Sequence, residues 1–388
     1  MLKGIVWHLR CLYKSLETLL VSVFLPISEN SVLVVSHALN EGGASLVLVE
    51  AVELLKKKGF RVVIISPDVG NLESTYRSMG INVLCSTYFS KLIRKILANK
   101  KWRMIFVNSI LMYEWTENTK EIPVLWWIHE GRTYIEKYAN KVSAPRKENI
   151  HIYCVSEWSR KCLFDAGINM SVGLLYYGSK DIVNNSVTDE VQNRSDTVSF
   201  ALIGAISQRK RNNDFIKAIQ MLSKEVLQNT EFTIIGKKLA GDEAYYTQFQ
   251  ELLKTSVKDI RYIQMIPHDK MAEVYKNIDV VVAASDDDPL PVVVTEGFLH
   301  SKCVLLSSNC GQFALIDEER NGYTFQAENV RELADKIEKI YHERARLGIV
   351  GNAGREIYEE YFTIDRFNRV LGELIENITT RGERYVDL

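Results

Sequence analysis

The sequence predicts two doubly wound α/β domains of the Rossmann-like type, joined by a linker. Short apolar runs alternate with stretches of helical period, first before residue 179 and again after residue 197. Such alternation is typical of parallel sheets that carry helices on both faces. A chain of 388 residues is long enough for two cores of ordinary size. We therefore expect two domains that face each other across a cleft at the carboxyl ends of their strands.

The composition is that of a globular protein with no excess of either charge. The chain has 48 basic and 49 acidic residues and a formal net charge of -1, so nucleic acid is not an expected partner. Its six cysteines are scattered and include no Cys-x-x-Cys pair. This spacing predicts neither a disulfide framework nor a zinc site, and it favours reduced thiols in a cytoplasmic protein.

Residues 1–30 are predicted to form an amphipathic helix ahead of the first domain. Glu17 interrupts an apolar run that is too short to cross a bilayer, and no signal-peptide cleavage site follows. The basic residues Lys3, Arg10 and Lys14 lie beside the stripe. This pattern fits a membrane surface as well as it fits packing on the helix's own domain or on a dimer mate. The apolar stripe consists of Leu2, Ile5, Leu9, Leu12, Leu16, Leu19 and Val23.

Residues 31–178 are predicted to form the first Rossmann-like domain. The buried run Val32 to Val35 predicts a strand, Gly42-Gly43 a turn, and the apolar period that follows a helix closed by Lys56 to Gly59. Further strands are predicted at Val62 to Ile65, Asn82 to Leu84, Met104 to Val107, Val124 to Ile128, Ile152 to Val155 and Val172 to Leu175.

The second half repeats this pattern after a polar linker at residues 179–197. Residues 198–360 form the second predicted domain, and residues 361–388 are expected to form a helix that returns toward the first domain. A helical period runs through the tail from Arg355 to Ile378. The predicted strands are Val198 to Ile203, Phe232 to Ile235, Val280 to Ala283 and Val304 to Ser307, and the predicted helices are Asp214 to Leu222, Met271 to Lys276 and Val330 to Tyr341.

The most informative segment runs from Ser285 to Glu296. Prolines 289 and 291 fit the start of a helix, which leaves the backbone N–H groups of Val292 and Val293 free at its positive end. An anion would bind well there. Glu296 lies in the first turns of the same helix, where a carboxylate can accept hydrogen bonds from both hydroxyls of a ribose.

The spacing of Asp288 and Glu296 resembles the acidic pair of the family 4 retaining glycosyltransferases, which have the GT-B fold. The segment from Gly204 to Lys210 is similar to the family's glycine-to-lysine segment, in which the lysine binds the donor diphosphate. Lys210 takes that position, and Arg209 stands beside it.

Weaker similarities occur in the family's order along most of the chain. Ser36-His37 and Gly42-Gly43-Ala44 are similar to the family's first strand and glycine loop, whose backbone approaches the donor phosphates. Trp126 to His129 resembles the strand that ends in a histidine near the donor sugar.

The resemblance implies a metal-independent hexosyltransferase that moves a sugar from a nucleotide-diphosphate sugar to a glycan, lipid-linked or protein acceptor. It would act with retention and without a cofactor, with the acceptor bound by residues 31–178 and the donor by residues 198–360. The cysteine pattern and the basic N-terminal helix suggest a cytoplasmic protein at the inner face of the membrane, in surface polysaccharide or glycoconjugate synthesis, and they leave an oligomer open. The implied catalytic residues are Asp288, Lys210 and His129, and the implied donor-binding residues are Gly43, Gly204, Arg209, Lys210, Leu290, Val292, Val293 and Glu296.

Three departures from the family pattern leave alternatives open. Asp288 replaces the usual Glu, Ala205 stands at the position of a phosphate-binding Arg, and Arg211 replaces a Gly. Arg209 or Arg211 would then supply the missing charge. The alternatives are a catalytically inactive GT-B-like partner or glycan-binding subunit, and a nucleotide-sugar epimerase.

Several of these residues also have structural interpretations. The run Asp286 to Asp288 fits a divalent-metal cluster as well as a capping turn. The basic run around Lys210 fits a solvated turn, His129 fits a core position, and Gly42-Gly43 fits a tight turn.

Overall fold

The computed structural model describes residues 2–40, 42–117, 119, 121–142, 148–181, 197–267 and 270–380. These residues divide into two compact units. The first comprises the described residues up to 155, residues 159–178 and the helix that follows residue 364. The second comprises residues 156–158 and the described residues from 179 to 364. Most of the predicted linker, and the last eight residues of the predicted C-terminal helix, lie outside the described residues.

The first unit is built on a seven-stranded sheet. Its strands are β1 (Ser31–Ser36), β2 (Arg61–Ser66), β3 (Asn82–Cys85), β4 (Met104–Asn108), β5 (Val124–Ile128), β6 (Ile150–Cys154) and β7 (Gly173–Leu174). Its helices up to residue 181 are α1 (Leu2–Phe24), α2 (Gly43–Lys57), α3 (Leu72–Ser78), α4 (Ser90–Ala98), α5 (Arg132–Val142) and α6 (Glu157–Asp165). The strand order is β3-β2-β1-β4-β5-β6-β7.

The strand order of the first unit reverses between β1 and β4. Strand β1 is buried along its whole length, as expected for a central strand of a parallel sheet. It pairs in parallel with β2 and β4, so that Val32 lies between Val62 and Met104. Ligands of doubly wound sheets bind at such a reversal, beyond the carboxyl ends of the strands.

Helix α2, which connects β1 to β2, ends as the sequence predicts. Gly59 has φ +84°, and its N–H donates a hydrogen bond of 2.9 Å to the carbonyl oxygen of Lys56. Glycine reaches this left-handed conformation without a steric cost. The chain can therefore turn out of α2 directly into β2.

The second unit repeats the design with a six-stranded sheet. Its strands are β8 (Val198–Ile203), β9 (Thr230–Ile235), β10 (Ile260–Ile263), β11 (Val280–Ala283), β12 (Cys303–Ser307) and β13 (Tyr323–Phe325). Its helices are α7 (Asn212–Ile219), α8 (Lys224–Gln228), α9 (Glu243–Lys254), α10 (Met271–Lys276), α11 (Val292–Leu299), α12 (Val330–His342) and α13 (Leu347–Ile357). The order β10-β9-β8-β11-β12-β13 reverses between β8 and β11.

The C-terminal segment from Arg355 to Ile378 is not one continuous helix, although a single helical period runs through its sequence. After α13 the chain forms a turn of π-helix and then becomes extended at Thr363, with φ −70° and ψ 147°. Thr363 bridges to Ser179, and the next helix, α14 (Ile364–Thr380), belongs to the first unit. Phe367 of α14 stacks on Trp127 of β5 with ring centroids 5.7 Å apart. The extended residue thus separates a helix of one unit from a helix of the other.

The N-terminal helix α1 packs on the first unit with a face that the sequence did not indicate. Among residues 6–24 of the helix, the buried ones are Cys11, Ser15, Thr18 and Ser22, whereas Leu9, Leu12, Leu16 and Val23 of the apolar stripe are exposed. Among the described residues, no helix is long and apolar enough to cross a membrane.

Candidate functional site

The loop after β8 brings the side chain of Lys210 over the backbone of Gly204. Gly204 has φ +154°, and a Cβ at this position would lie 3.5 Å from the side-chain carbons of Lys210. A short 3-10 helix, Gln208–Lys210, follows, and the hydroxyl of Ser207 accepts a hydrogen bond of 3.3 Å from the Lys210 N–H. Arg211, with φ 55°, then turns the chain into α7. This loop fixes where the ammonium group of Lys210 can reach.

Lys210 and Asp288 form an ion pair across the reversal point of the second sheet. The Lys210 Nζ donates to Asp288 Oδ2. Lys210 follows β8 and Asp288 follows β11, and these strands are neighbours in the sheet. Arg209 Nη1 lies 3.5 Å from the same carboxylate oxygen and donates a hydrogen bond of 2.8 Å to the carbonyl oxygen of Asp287. The structure therefore brings together three residues that the sequence singled out.

Arg211, which the sequence named with Arg209 as a source of the charge missing at Ala205, pairs with acidic residues away from Asp288. Its guanidinium pairs with Asp214 at 2.7 Å and with Glu328 at 2.9 Å. Arg209 is the candidate that the structure places beside Asp288.

The carboxyl group of Asp288 is buried yet ionised. Burial raises the pKa of this group, but the positive charges of Lys210 and Arg209 and the hydrogen bonds from Lys210 and Ser285 outweigh burial and hold the pKa below its ordinary value. Two cations thus meet one buried carboxylate at the end of β11. Such a group of charges can rearrange around an anionic ligand.

The acidic run itself is held by several hydrogen bonds. The Asp286 N–H donates to the carbonyl oxygen of Arg209 at 3.0 Å, and Trp158 Nε1 donates to Asp287 Oδ1 at 3.0 Å. Asn309 Nδ2 donates to the carbonyl oxygen of Asp286 at 2.8 Å. Asp286 to Asp288 therefore form a turn that hydrogen bonds from neighbouring segments hold in place. Within the described part of the chain, no group of three or more His, Cys, Asp or Glu side chains is placed to hold a metal ion.

Helix α11 begins as the two prolines predict, with Pro291 at its N-cap. The first N–H groups to donate back to the Pro291 carbonyl oxygen are those of Val294 and Thr295. The amides of Val292 and Val293, which precede them, point out of the helix N-terminus and have no backbone acceptor among the described residues. Gln312 Nε2 fixes the start of the helix through a 2.9 Å hydrogen bond to the same carbonyl oxygen. These two amides can donate hydrogen bonds to an anion.

Glu296 is half-buried within α11 and is oriented by a neighbouring helix. The hydroxyl of Tyr275 in α10 donates a hydrogen bond of 2.6 Å to Glu296 Oε2. The ring of Tyr275 stacks on His300 with centroids 4.7 Å apart. A carboxylate oxygen has two lone pairs, so Glu296 can still accept hydrogen bonds from hydroxyl groups of a ligand. Leu290, also predicted to contact a ligand, is almost fully buried.

In the first unit, Asn108 links His129 to Ala44, the residue that follows Gly43. His129 Nε2 and Asn108 Oδ1 are 2.8 Å apart, and Asn108 Nδ2 donates a 3.2 Å hydrogen bond to the carbonyl oxygen of Ala44. Burial, together with the nearby charge of His37, lowers the pKa of His129 to about 3. His129 is therefore neutral at physiological pH.

The glycines at the start of α2 are not required by the local geometry. Neither Gly42 nor Gly43 has a positive φ, and a Cβ at either position would meet no atom within 4 Å. Their conformation does not need glycine, so the tight-turn interpretation does not explain them. The backbone of these two glycines is instead exposed, with no side chain to cover it, at the N-terminus of this helix.

A strained residue beside His129 is stabilised by Glu130. Ser109 has φ 99° and ψ 144°, a conformation that is costly for a residue with a side chain. Its hydroxyl donates to Glu130 Oε1, while the N–H groups of Ile110 and His129 donate to Oε2 at 2.9 and 3.0 Å. Glu130 thus holds the ends of β4 and β5 in place.

Sequence reasoning missed the residues that orient the predicted ones. Tyr275, Asn108, Ser109, Glu130 and Trp158 act through contacts that are distant in the sequence. Only Glu130, next to His129, carried a local signal. Lys210, Arg209 and Asp288 contact one another within the second unit, as do His129, Asn108 and the start of α2 within the first.

Two family models match this chain. Residues 28–171 match Glycosyl-transferase family 4, and residues 187–357 match Glycosyl transferases group 1. An uncharacterised glycosyltransferase from Methanocaldococcus jannaschii is 24% identical over 268 residues, a match that covers 67% of this chain and 66% of that protein. The chain thus spans slightly less than two thirds of that relative.

Solved structures share the fold at low sequence identity. HepE from Anabaena, in complex with UDP-glucose, has a TM-score of 0.72 and 14% identity, covering 89% of this chain and 99% of that one. A glycosyltransferase from Rickettsia africae has a TM-score of 0.71 and 17% identity, covering 92% of this chain and all of that one, 100%. These similarities confirm the predicted pair of Rossmann-like domains of the GT-B type.

Proposed function

We propose that this chain, which belongs to the family 4 and group 1 glycosyltransferases, moves a hexose from a nucleotide-diphosphate sugar to an acceptor hydroxyl with retention at the anomeric carbon. The observation that carries this proposal is the contact of Lys210 and Arg209 with Asp288 at the reversal point of the second sheet. Both cations follow β8 and Asp288 follows the neighbouring strand β11, so all three lie beyond the carboxyl ends of the strands, where this type of sheet binds ligands.

In this proposal the leaving diphosphate is stabilised without a metal. Negative charge grows on the diphosphate as the glycosidic bond breaks, and Lys210, Arg209 and the amides of Val292 and Val293 would meet that charge. Groups that are already oriented stabilise developing charge without reorganising. The donor would exchange the contact of Lys210 with Asp288 for a contact with phosphate.

The carboxylates are assigned to the two sugars of the donor. Glu296, oriented by Tyr275, would accept hydrogen bonds from the ribose hydroxyls, and Asp288 would contact the transferred sugar. On the first unit, neutral His129 is proposed to contact the donor sugar, and the open backbone at Gly43 is proposed to approach the phosphates.

Uridine diphosphate sugars are the first donors to test, because the structure of HepE contains UDP-glucose. The proposed acceptors are glycans, lipid-linked sugars or proteins, and the proposed role is in surface polysaccharide or glycoconjugate synthesis. No cofactor is assigned, and the proposed location is the cytoplasm.

A thermal-shift screen of nucleotide sugars tests donor binding. A ligand present at a hundred times its dissociation constant adds about 2.7 kcal/mol to the free energy of unfolding. We expect one base and sugar combination to raise the melting temperature of the wild-type chain and to raise that of Lys210→Ala less. NMR of the product then tests retention, because a product with the opposite anomeric configuration to the donor would contradict it.

A further inference from the structure

Helix α1 turns an apolar face away from the protein. Six residues recur at three- and four-residue spacing on this outward face, as residues on one side of a helix do. They are Leu9 (62% exposed), Leu12 (38%), Tyr13 (68%), Leu16 (45%), Leu20 (65%) and Val23 (50%). Single exposed apolar residues are common on proteins, but a contiguous face of this kind marks a binding surface.

The opposite face of α1 is polar and binds the edge of the first sheet. Thr18 Oγ1 accepts a hydrogen bond of 2.8 Å from the N–H of Cys85 in β3, the edge strand. Ser15 Oγ accepts a hydrogen bond of 3.0 Å from the N–H of Tyr88. The helix therefore satisfies edge amides with its small polar residues. Among the described side chains of α1, Cys11 is the one apolar residue that is buried, and the apolar residues of the outward face remain exposed.

The segment that contains α4 extends the outward face and adds positive charge. Phe89 and Leu92, 44% and 48% exposed, lie in this segment, which packs beside α1. Residues 1–28 and 86–103 together contain nine Lys and Arg residues and a single acidic residue, Glu17. The whole chain has 48 basic and 49 acidic residues, so positive charge is concentrated in these two segments.

Some of these cations have structural roles and others are exposed. Lys14 pairs with Glu73 at 3.1 Å, and Lys100 donates to the carbonyl oxygens of Val23 and Leu25 at the end of α1. In contrast, Arg10, Lys91, Lys95 and Lys101 are exposed, and none of them forms an ion pair with a described residue.

We propose that the outward face of α1 and the adjoining α4 segment bind the surface of an anionic lipid bilayer. The apolar side chains would enter the interface while the exposed cations contact anionic headgroups. A second copy of this chain fits less well, because a two-fold contact would bring the same positively charged surfaces together. The proposal does not depend on the transferase assignment, since lipid binding is measured without a donor or an acceptor.

Vesicle flotation of the full chain tests the proposal. The vesicles contain phosphatidylcholine alone or phosphatidylcholine with an equal share of phosphatidylglycerol. We expect the wild type to float with the anionic vesicles, and less so in high salt. Leu9→Glu with Leu16→Glu, and separately Lys91→Glu with Lys95→Glu, should each weaken binding by about tenfold or more.

Matched control variants distinguish binding through this surface from non-specific binding of the protein to vesicles. Val257 and Met265 of the second unit are 64% and 68% exposed, so Val257→Glu with Met265→Glu changes equally accessible apolar residues elsewhere. Lys224→Glu with Lys254→Glu reverses two exposed charges elsewhere. Both controls should bind vesicles like the wild type, and all variants should retain the wild-type melting temperature.

Three results would overturn the proposal. One is the absence of binding to anionic vesicles by the wild type. Another is equal loss of binding in the control variants. The third is a dimer, seen by sedimentation velocity, that dissociates in Leu9→Glu with Leu16→Glu, together with no vesicle binding. That result would assign this surface to self-association.

Discussion

The ammonium group of Lys210 donates a hydrogen bond to Asp288, a residue 78 positions later in the chain. The sequence assigned these residues to different parts of a donor, the diphosphate and the transferred sugar. In the structure each neutralises the other, with Arg209 Nη1 3.5 Å from the same carboxylate oxygen. Donor binding is therefore expected to be an exchange of partners, in which phosphate replaces Asp288 at Lys210 and a sugar hydroxyl donates to Asp288.

Lys210→Ala is expected to lower turnover more than donor affinity, because charge on the diphosphate increases as the glycosidic bond breaks. Loss of one preorganised donor costs roughly a hundredfold in turnover. Steady-state kinetics measure both quantities. Lys217→Ala is the matched control, since Lys217 lies in the helix that follows and pairs only with Asp214 among the described residues, at 3.6 Å. If Lys210→Ala kept wild-type turnover, the assignment of the phosphate site to Lys210 would be wrong, and Arg209 would be the next candidate.

The three aspartates are expected to differ in their contribution to activity. Asp288→Asn should reduce transfer strongly because it removes the charge between Lys210 and Arg209. Asp286→Asn and Asp287→Asn should have small effects, and an asparagine at position 287 keeps an oxygen that can accept from Trp158 Nε1. Chelator should leave transfer unchanged. Loss of activity with chelator, restored by magnesium or manganese, would show instead that the acidic run binds a metal.

Glu296→Gln is expected to weaken donor binding while the fold is retained. A hydrogen bond to a charged group contributes about 1.5–3 kcal/mol, which corresponds to roughly tenfold or more in the dissociation constant. Titration calorimetry with the donor measures this change. Tyr275→Phe keeps the carboxylate but removes the hydroxyl that orients it, so we expect a smaller loss. Unchanged affinity in Glu296→Gln would rule out the ribose assignment.

His129 is expected to make the first unit less stable in acid. Its pKa is lowered from 6.5 to about 3, mainly by burial. Between these values the unfolded chain binds a proton that the folded chain does not, so stability falls as pH decreases through this window. Melting temperatures measured from pH 7 to pH 4 should therefore fall less steeply in His129→Asn than in the wild type. His342→Asn, at an exposed position, is the control and should keep the wild-type slope. Equal slopes in all three proteins would contradict the lowered pKa of His129.

Local sequence patterns were sufficient for most strands and for part of the site. Apolar runs located the seven strands of the first sheet and four of the six strands of the second, but not the short strands β10 and β13. Pro289 and Pro291 located the start of α11, because a proline restricts the backbone at its own position. Lys210 and Asp288 were found because the segments that contain them resemble the family's glycine-to-lysine segment and acidic pair. The strand order then determined that they would meet.

Contacts between distant segments could not be predicted in the same way. Tyr275 orients Glu296 from another helix, and Asn108 links His129 to α2, yet neither residue has a local pattern that marks it. The orientation of α1 was also not predictable. A helical period shows which residues share a face but not which face the protein buries, and here Thr18 and its polar neighbours are buried.

The measurement that tests the central claim most directly is the release of nucleoside diphosphate from a panel of nucleotide sugars, with and without candidate acceptors. The claim predicts that the wild-type chain cleaves at least one donor and that Lys210→Ala does so roughly a hundredfold more slowly. If no nucleotide sugar in the panel is cleaved and none raises the melting temperature of the chain, the claim is contradicted. That result would favour a non-catalytic partner of a transferase.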